Sequence, residues 1–114
     1  MSSCIFCRIV AREIPAEIVH ESDQVLAFRD LRPVAPTHVL VIPKRHIDAI
    51  READDTDAEL LGHVMIGARD VAKKLGVAAS GYRVVVNNGE DAGQTVFHLH
   101  AHVLAGRGLA WPPG

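Results

Sequence analysis

The stretch over residues 98–104 constrains the fold most, because histidines alternate there with apolar residues (His-Leu-His-Ala-His-Val-Leu). Successive side chains of a strand project to opposite faces, so the alternation predicts a β-strand with three histidines on one face and apolar side chains in the core. Imidazole can act near neutral pH as a nucleophile, a general acid or base, or a metal ligand. The pattern therefore predicts a chemically active strand face, with a solvated surface strand as the alternative.

The remaining patterns predict one small domain of helices and strands over residues 1–114. Apolar residues recur at helical spacing over residues 4–13, and Thr56 with Glu59 has the spacing of a capping box that opens one long helix ending at Gly76. Further strands are expected over residues 17–21, 25–30, 38–42 and 83–87. The apolar stripe of the long helix, expected to face the core, consists of Leu60, Leu61, Val64, Met65, Ala68, Val71, Ala72 and Leu75.

Composition narrows the class of protein. Apolar residues make up 48% and charged residues 23% of 114 residues, as in an ordinary soluble domain. A formal net charge of −2 argues against a general nucleic-acid or anionic-membrane surface. No window approaches the roughly 18 apolar residues of a membrane span, and the N-terminus lacks a basic segment followed by an apolar one. We therefore expect a cytoplasmic protein.

The loop before the histidine strand, residues 87–96, is suited to bind an anion. Gly89 and Gly93 permit close backbone approach, while Asn87, Gln94 and Thr95 supply polar side chains beside exposed N–H groups. A histidine nucleophile needs an electrophile held in line, and phosphorus bound by backbone amides is the obvious candidate. A hairpin turn rich in Asn and Gly is the alternative.

The only two cysteines, Cys4 and Cys7, form a C-x-x-C motif. In a reducing compartment such a pair is half of a metal site or a redox pair rather than a structural disulfide. A tetrahedral Zn²⁺ site would need two more ligands, and the histidines are their natural source, although sequence distance alone cannot select them. A reduced pair packed in a helix is the alternative.

Taken together, these motifs resemble the histidine triad (HIT) superfamily, whose signature is His-x-His-x-His followed by apolar residues. Within it the chain is similar to the HINT branch of purine nucleoside phosphoramidases, through residues 35–44 (Ala-Pro-Thr-His-Val-Leu-Val-Ile-Pro-Lys), 93–96 (Gly-Gln-Thr-Val) and 111–114 (Trp-Pro-Pro-Gly). The resemblance runs from about residue 4 to 114. It implies an α+β HIT-like fold: a five-stranded antiparallel sheet, one long helix and a short N-terminal helix. It also implies a homodimer in which the long helices meet and the sheet extends to ten strands.

The resemblance further implies hydrolysis of purine nucleoside 5′-phosphoramidates or acyl-adenylates. His100 would attack the α-phosphorus, and water would hydrolyse the nucleotidyl-histidine to the nucleoside monophosphate. His102 would donate to a phosphate oxygen, and the backbone carbonyl of His98 would orient the nucleophile. Thr95 stands where relatives usually carry Ser beside the leaving group, and its hydroxyl can make the same hydrogen bond. His38 would support the triad from the neighbouring strand.

The resemblance also implies which residues bind the nucleotide. Asp30 would accept hydrogen bonds from the ribose hydroxyls. The base would lie between apolar side chains, the phosphate would contact the loop before the triad, and the C-terminal Trp would reach toward the partner subunit's site. The residues are, in that order, Ile5, Phe6, Ile9 and Leu31 for the base, Asn87, Gly93 and Val96 for the phosphate, and Trp111.

For the C-x-x-C motif, the resemblance implies one structural Zn²⁺ per chain held by Cys4, Cys7, His46 and His98, without a catalytic metal. Three other functions stay open on the sequence: a dinucleoside polyphosphate hydrolase or nucleotidyl transferase, a non-catalytic nucleotide-binding interaction module, and a thiol redox centre.

Overall fold

The computed structural model describes residues 3–114, so the first two residues of the domain predicted over 1–114 lie outside the described residues. The elements are α1 (Ile5–Val10), β1 (Ile18–Glu21), β2 (Val25–Arg29), β3 (Thr37–Pro43), α2 (Ala58–Lys74), β4 (Arg83–Val85) and β5 (Ala101–Ala105). The five strands form one antiparallel sheet in the order β1-β2-β3-β5-β4. This confirms the predicted five-stranded antiparallel sheet with one long helix and a short N-terminal helix. No helix among the described residues is long and apolar enough to cross a bilayer.

The two faces of the sheet carry different helices. Val39 and Val41 of β3 belong to a buried cluster that packs against α2, whereas Leu40 and Ile42 belong to a second cluster that packs against α1. Alternate residues of one strand therefore serve opposite faces, and β3 is buried on both, as its uninterrupted apolar run predicts. The smaller cluster beneath α1 forms the floor of the candidate site.

The histidine strand is shorter than the alternation predicts, because β5 begins at Ala101. Only His102 of the triad lies in the strand, while His98 and His100 lie in the segment that leads into it and are almost completely buried. Opposite that segment stands Pro43, which has no N–H to donate to a ladder. The N–H of Leu99 instead donates to the carbonyl of Ile47. The predicted start of the strand at His98 was therefore wrong. The alternation of faces is as predicted, because Leu99, Ala101 and Val103 belong to the cluster that packs against α2, whereas the rings of His98 and His100 contact Phe6 of α1.

The long helix starts differently from the prediction. Asp54 and Asp57 form the capping box, one 3-10 turn before the helix, and Thr56 serves that turn by donating to the Asp54 carboxylate. The predicted pair of Thr56 and Glu59 was therefore wrong. Because Asp57 also pairs with Arg45, this turn ties the start of α2 to the corner after β3.

The stripe of α2 is buried as predicted at Leu60, Val64, Ala68, Val71 and Ala72. Its neighbour Met65 was expected in the core, but it is 52% exposed in this chain, so that assignment was wrong. Successive helical residues are about 100° apart, which places this residue beside the buried stripe rather than on it.

Several helices and strands also end at residues other than those predicted. The N-terminal helix ends at Val10 rather than near residue 13, because Arg12 has a positive φ of 62°. The strands β1, β2 and β4 are each shorter by one or two residues than predicted. None of these differences moves a candidate functional residue to another face of the sheet.

Candidate active site

A cavity of about 450 Å³ opens between α1, the end of β2 and the triad segment. Its apolar walls meet the polar groups at one end, an arrangement typical of small-molecule sites. Nine residues assigned from the sequence line it: Ile5, Phe6, Ile9, Asp30, Leu31, Thr95, Val96, His100 and His102. A larger depression of about 510 Å³ beside Arg45 and Asp57 is open, and charged side chains that pair with one another line it. The triad does not border it, so we place the site in the apolar cavity.

Four assigned residues do not line this cavity in the described chain. His38 lies behind His102, and its contacts are described below. Asn87 and Gly93 lie on the preceding loop. Trp111 lies in the C-terminal tail and is 82% exposed. Its expected contact with a partner subunit stays a prediction.

The orientation of His100 is fixed by its own segment. Its Nδ1 lies 2.8 Å from the carbonyl oxygen of His98, which can only accept, so Nδ1 carries the proton. The other ring nitrogen, Nε2, therefore keeps its lone pair on a ring that borders the cavity. The edge-on ring of Phe6, with centroids 5.2 Å apart, holds the imidazole from the helix side. This geometry presents a nucleophilic nitrogen to the cavity.

A hydrogen bond from His38 determines the tautomer of His102. The N–H of Val34 donates to Nδ1 of His38 at 3.1 Å, so the neutral His38 ring carries its proton on Nε2. That nitrogen lies 2.9 Å from Nδ1 of His102 and donates to it. The proton of His102 is consequently on Nε2, where it can donate to a bound group. A backbone amide thus sets the protonation of a cavity residue through one intervening ring.

Burial favours the neutral form of the His102 and His38 rings. Removal from water, together with the nearby His100 and His38, lowers the pKa of His102 to about 4, against an opposing effect of Asp30. Burial also lowers the pKa of His38, again opposed by the carboxylate of Asp30. At neutral pH His102 is therefore a neutral hydrogen-bond donor rather than a cation.

Asp30 follows β2 at the same end of the cavity. Its Oδ1 accepts from the N–H of Arg32 at 2.7 Å, and its Oδ2 lies 3.4 Å from Nε2 of His38. Asp30, His38 and His102 lie close enough to suggest a metal site. A metal on Nε2 of His38 would, however, require a proton on Nδ1, where the N–H of Val34 already points. These three residues are therefore better described as a hydrogen-bonded network.

A different cluster has the geometry of a metal centre. Nδ1 of His98 lies 3.4 Å from Sγ of Cys4 and 3.5 Å from Sγ of Cys7. Nδ1 of His46 lies 3.3 Å from Sγ of Cys7 and 3.1 Å from Nδ1 of His98. In a tetrahedral site with bonds of about 2.0 Å to nitrogen and 2.3 Å to sulfur, two nitrogen ligands are about 3.3 Å apart, and a nitrogen and a sulfur are about 3.5 Å apart. The four side chains could therefore hold one metal ion.

The outer hydrogen bonds of this cluster select the correct tautomers. Nε2 of His98 donates to the carbonyl of Pro43 at 2.8 Å, and Nε2 of His46 donates to the Asp48 carboxylate at 2.5 Å. Both Nδ1 atoms are thereby left with lone pairs that face the sulfurs. Histidine ligands of metals commonly donate their second nitrogen in this way. The N–H of Cys7 also donates to Sγ of Cys4 at the start of α1.

Sequence reasoning misjudged Gln94, which was expected to offer its side chain to an anion. The side chain is buried: Oε1 accepts from the N–H of Gly89, and Nε2 donates to the carbonyls of Asp48 and Val96. Gln94 therefore fixes the loop to the corner after β3. Its polar character gave no signal that it would be used internally.

The analysis of the sequence also missed part of the cavity wall. Ile14, Pro15 and Ala16, which follow α1, line the apolar end. Phe28, Arg29, Arg32 and Leu40 line the remainder. The Ile-Pro sequence is typical of a helix end and carries no functional signal, because which side chains face a cavity depends on how α1 packs on the sheet.

Comparisons with known proteins agree with this geometry. The sequence model of the family described as HIT domain matches residues 11–109. An uncharacterized HIT-like protein from Synechocystis sp. is 52% identical over 110 residues, which are 96% of each chain. A HIT family hydrolase from Legionella pneumophila superposes with a TM-score of 0.95 at 49% identity, covering 98% of this chain and 100% of that chain. A histidine triad nucleotide-binding protein from Candida albicans superposes with a TM-score of 0.83 at 34% identity, covering 96% and 83%.

Proposed function

Because the chain belongs to the HIT family, we propose that it is a hydrolase of purine nucleoside 5′-phosphoramidates, releasing a nucleoside monophosphate and an amine. The observation that carries the proposal is the hydrogen bond from His100 to the carbonyl of His98, since it leaves Nε2 as a nucleophile at the polar end of an apolar cavity. Solved relatives described as a HIT family hydrolase and as a nucleotide-binding protein support the same class of ligand and reaction.

In the first step, the lone pair on Nε2 of His100 attacks the α-phosphorus, and the bond from phosphorus to the amine nitrogen breaks. The leaving nitrogen takes a proton from solvent and departs as an amine. In the second step, water attacks the phosphorus of the nucleotidyl-histidine and releases a proton to solvent, and the electron pair of the bond between phosphorus and histidine returns to Nε2. Covalent catalysis of this kind divides one difficult displacement into two easier ones.

The residues around the phosphorus stabilise the charge that develops there. The proton on Nε2 of His102 would donate to a phosphate oxygen, and it is already positioned before the substrate binds. Thr95 lines the same cavity, and its hydroxyl would donate toward the leaving nitrogen. Asn87, Gly93 and Val96 remain the residues assigned to the phosphate from the loop.

The rest of the cavity suits a nucleoside. Ile5, Phe6, Ile9 and Leu31 would contact the faces of a purine, and Asp30 would accept from the ribose hydroxyls. The side chain of Leu31 is 94% exposed, so a bound base would remove apolar surface from water there. Trp111 would complete the site from the partner subunit in a homodimer. We place the protein in the cytoplasm.

We also propose that Cys4, Cys7, His46 and His98 hold a structural Zn²⁺. Two thiolates and two neutral imidazoles are a common tetrahedral zinc set, and four protein ligands leave no position for a substrate. The ion would fix α1 and the triad segment together. The phosphoryl-transfer steps above are assigned to the protein's own side chains.

Turnover of adenosine 5′-phosphoramidate tests the proposal, with diadenosine polyphosphate as the competing substrate class. We expect the phosphoramidate to be hydrolysed with the higher kcat/KM and His100→Ala to abolish turnover. Hydrolysis of the polyphosphate alone would assign the rival enzyme class. Binding of a nucleoside monophosphate without any turnover would assign a binding module.

A further inference from the structure

The metal cluster and the cavity share two structural connections. The first is helix α1, since Cys4 and Cys7 flank Ile5 and Phe6, which line the cavity. The second is His98, whose side chain belongs to the cluster while its backbone carbonyl holds His100. A displacement of α1 or of His98 would therefore change the geometry of both the metal cluster and the cavity.

Phe6 joins the two connections directly. Its ring packs edge-on against the ring of His98, with centroids 5.9 Å apart, and against the ring of His100, at 5.2 Å. It also packs edge-on against Phe28 of β2 and is 6% exposed. One buried ring of α1 therefore contacts a cluster histidine, the nucleophile and the floor of the cavity.

We propose that the metal ion and the nucleotide bind cooperatively, each raising the affinity of the protein for the other, through α1 and His98. An ion that holds Cys4, Cys7 and His98 in place orders the apolar wall and the nucleophile before a nucleotide arrives. A nucleotide against Ile5 and Phe6 in turn holds α1 in the position that brings the two sulfurs toward the histidines. Both halves of this coupling, the nucleotide and the metal ion, rest on the proposed function.

Linkage makes the coupling reciprocal, so it can be measured on the metal without any assay of activity. The affinity of the protein for Zn²⁺ is measured against a chromophoric chelator, with and without saturating adenosine 5′-monophosphate, using the chelator and nucleotide alone as the blank. We expect the nucleotide to tighten zinc binding by about 5- to 150-fold, the range usual for coupled sites. The matching experiment compares nucleotide affinity of metal-loaded and metal-free protein and should give the same factor.

Two variants separate a specific connection from general stabilisation. Phe6→Leu retains all four metal ligands but loses the ring contacts. The factor by which nucleotide tightens zinc binding should therefore be much smaller in this variant than in the wild type, even when the nucleotide is supplied at a concentration that saturates the variant. His63→Ala changes a histidine on the outer part of α2, where its only described partner is Glu59, and should keep the full factor.

Where metal-free protein loses its fold, the rate at which zinc passes from the intact protein to excess chelator replaces the equilibrium measurement, and bound nucleotide should slow it. A zinc affinity or release rate that nucleotide changes by less than twofold would overturn the inference, as would an unchanged factor in Phe6→Leu. Failure of metal-loaded protein to bind the nucleotide at all would instead overturn the proposed function, and the coupling with it.

Discussion

The strongest test of the hydrogen-bond network is replacement of His38 by phenylalanine. The substitution preserves a ring of similar size at a position that is 6% exposed, but it removes the donor 2.9 Å from Nδ1 of His102. Without that donor, nothing holds the proton of His102 on Nε2, where the proposed mechanism requires it. The N–H of Val34 also loses its acceptor, Nδ1 of His38.

The magnitude follows from the hydrogen bond that would be lost in the transition state. A bond to a charged group contributes about 1.5–3 kcal/mol, and each 1.4 kcal/mol corresponds to tenfold in rate. We therefore expect kcat for adenosine 5′-phosphoramidate to fall about 10- to 150-fold in His38→Phe. KM should change less, since the apolar wall of the cavity is untouched.

The assay is steady-state hydrolysis, together with ¹⁵N NMR of the imidazole nitrogens to report which nitrogen of His102 carries the proton. The matched control is His20→Phe, since His20 also lies on a strand beside a carboxylate, 3.8 Å from Asp70 of α2, but on the face of the sheet opposite to the cavity. A kcat within twofold of the wild type in a folded His38→Phe protein would refute the assigned role of the network.

Three further predictions concern the metal, the core and pH. Cys7→Ser should lose the metal ion, since hydroxyl is a poor zinc ligand, and lower Tm by several degrees; metal analysis and calorimetry check this, and full retention of zinc would contradict the ligand assignment. Leu26→Ala, at a fully buried position beneath α1, should lower the free energy of unfolding by about 2–5 kcal/mol in urea denaturation, and a loss under 1 kcal/mol would contradict the packing described. The pKa of His102 is near 4 in the folded chain against 6.5 as its ordinary value, so only the unfolded chain takes up this proton between those pH values. The free energy of unfolding should therefore be retained above pH 6.5 and decline by about 3 kcal/mol toward pH 4, and His102→Gln should show a shallower decline; equal slopes would contradict the shift.

Features of the fold that are determined by neighbouring residues could be predicted from the sequence, whereas features that depend on distant contacts could not. The run over residues 38–42 predicted a strand buried on both faces because its apolar residues are continuous, and β3 has that property. The start of α2 was misplaced because three closely spaced residues, Asp54, Thr56 and Asp57, can all cap a helix. The choice among them depends on Arg45, which pairs with Asp57 across the corner.

The candidate site was less predictable because its geometry is set by contacts distant in sequence. Alternation predicted one strand over all three histidines, but the partner of Leu99 is the carbonyl of Ile47, and the strand begins only at Ala101. The grouping of Cys4, Cys7, His46 and His98 came from the family resemblance, since four residues spread over most of the chain have no common local pattern. The internal use of Gln94 had no signal in the sequence at all.

Trapping the covalent intermediate tests the central claim most directly. A phosphoramidate of adenosine is mixed with the protein, the reaction is stopped in base within its first turnover, and the modified peptide is identified by mass spectrometry, with NMR to determine the nitrogen that carries phosphorus. The account predicts one nucleotidyl group, on Nε2 of His100, because Nδ1 is occupied by its bond to the carbonyl of His98. A nucleotidyl group on another residue, or on Nδ1 of His100, would contradict it.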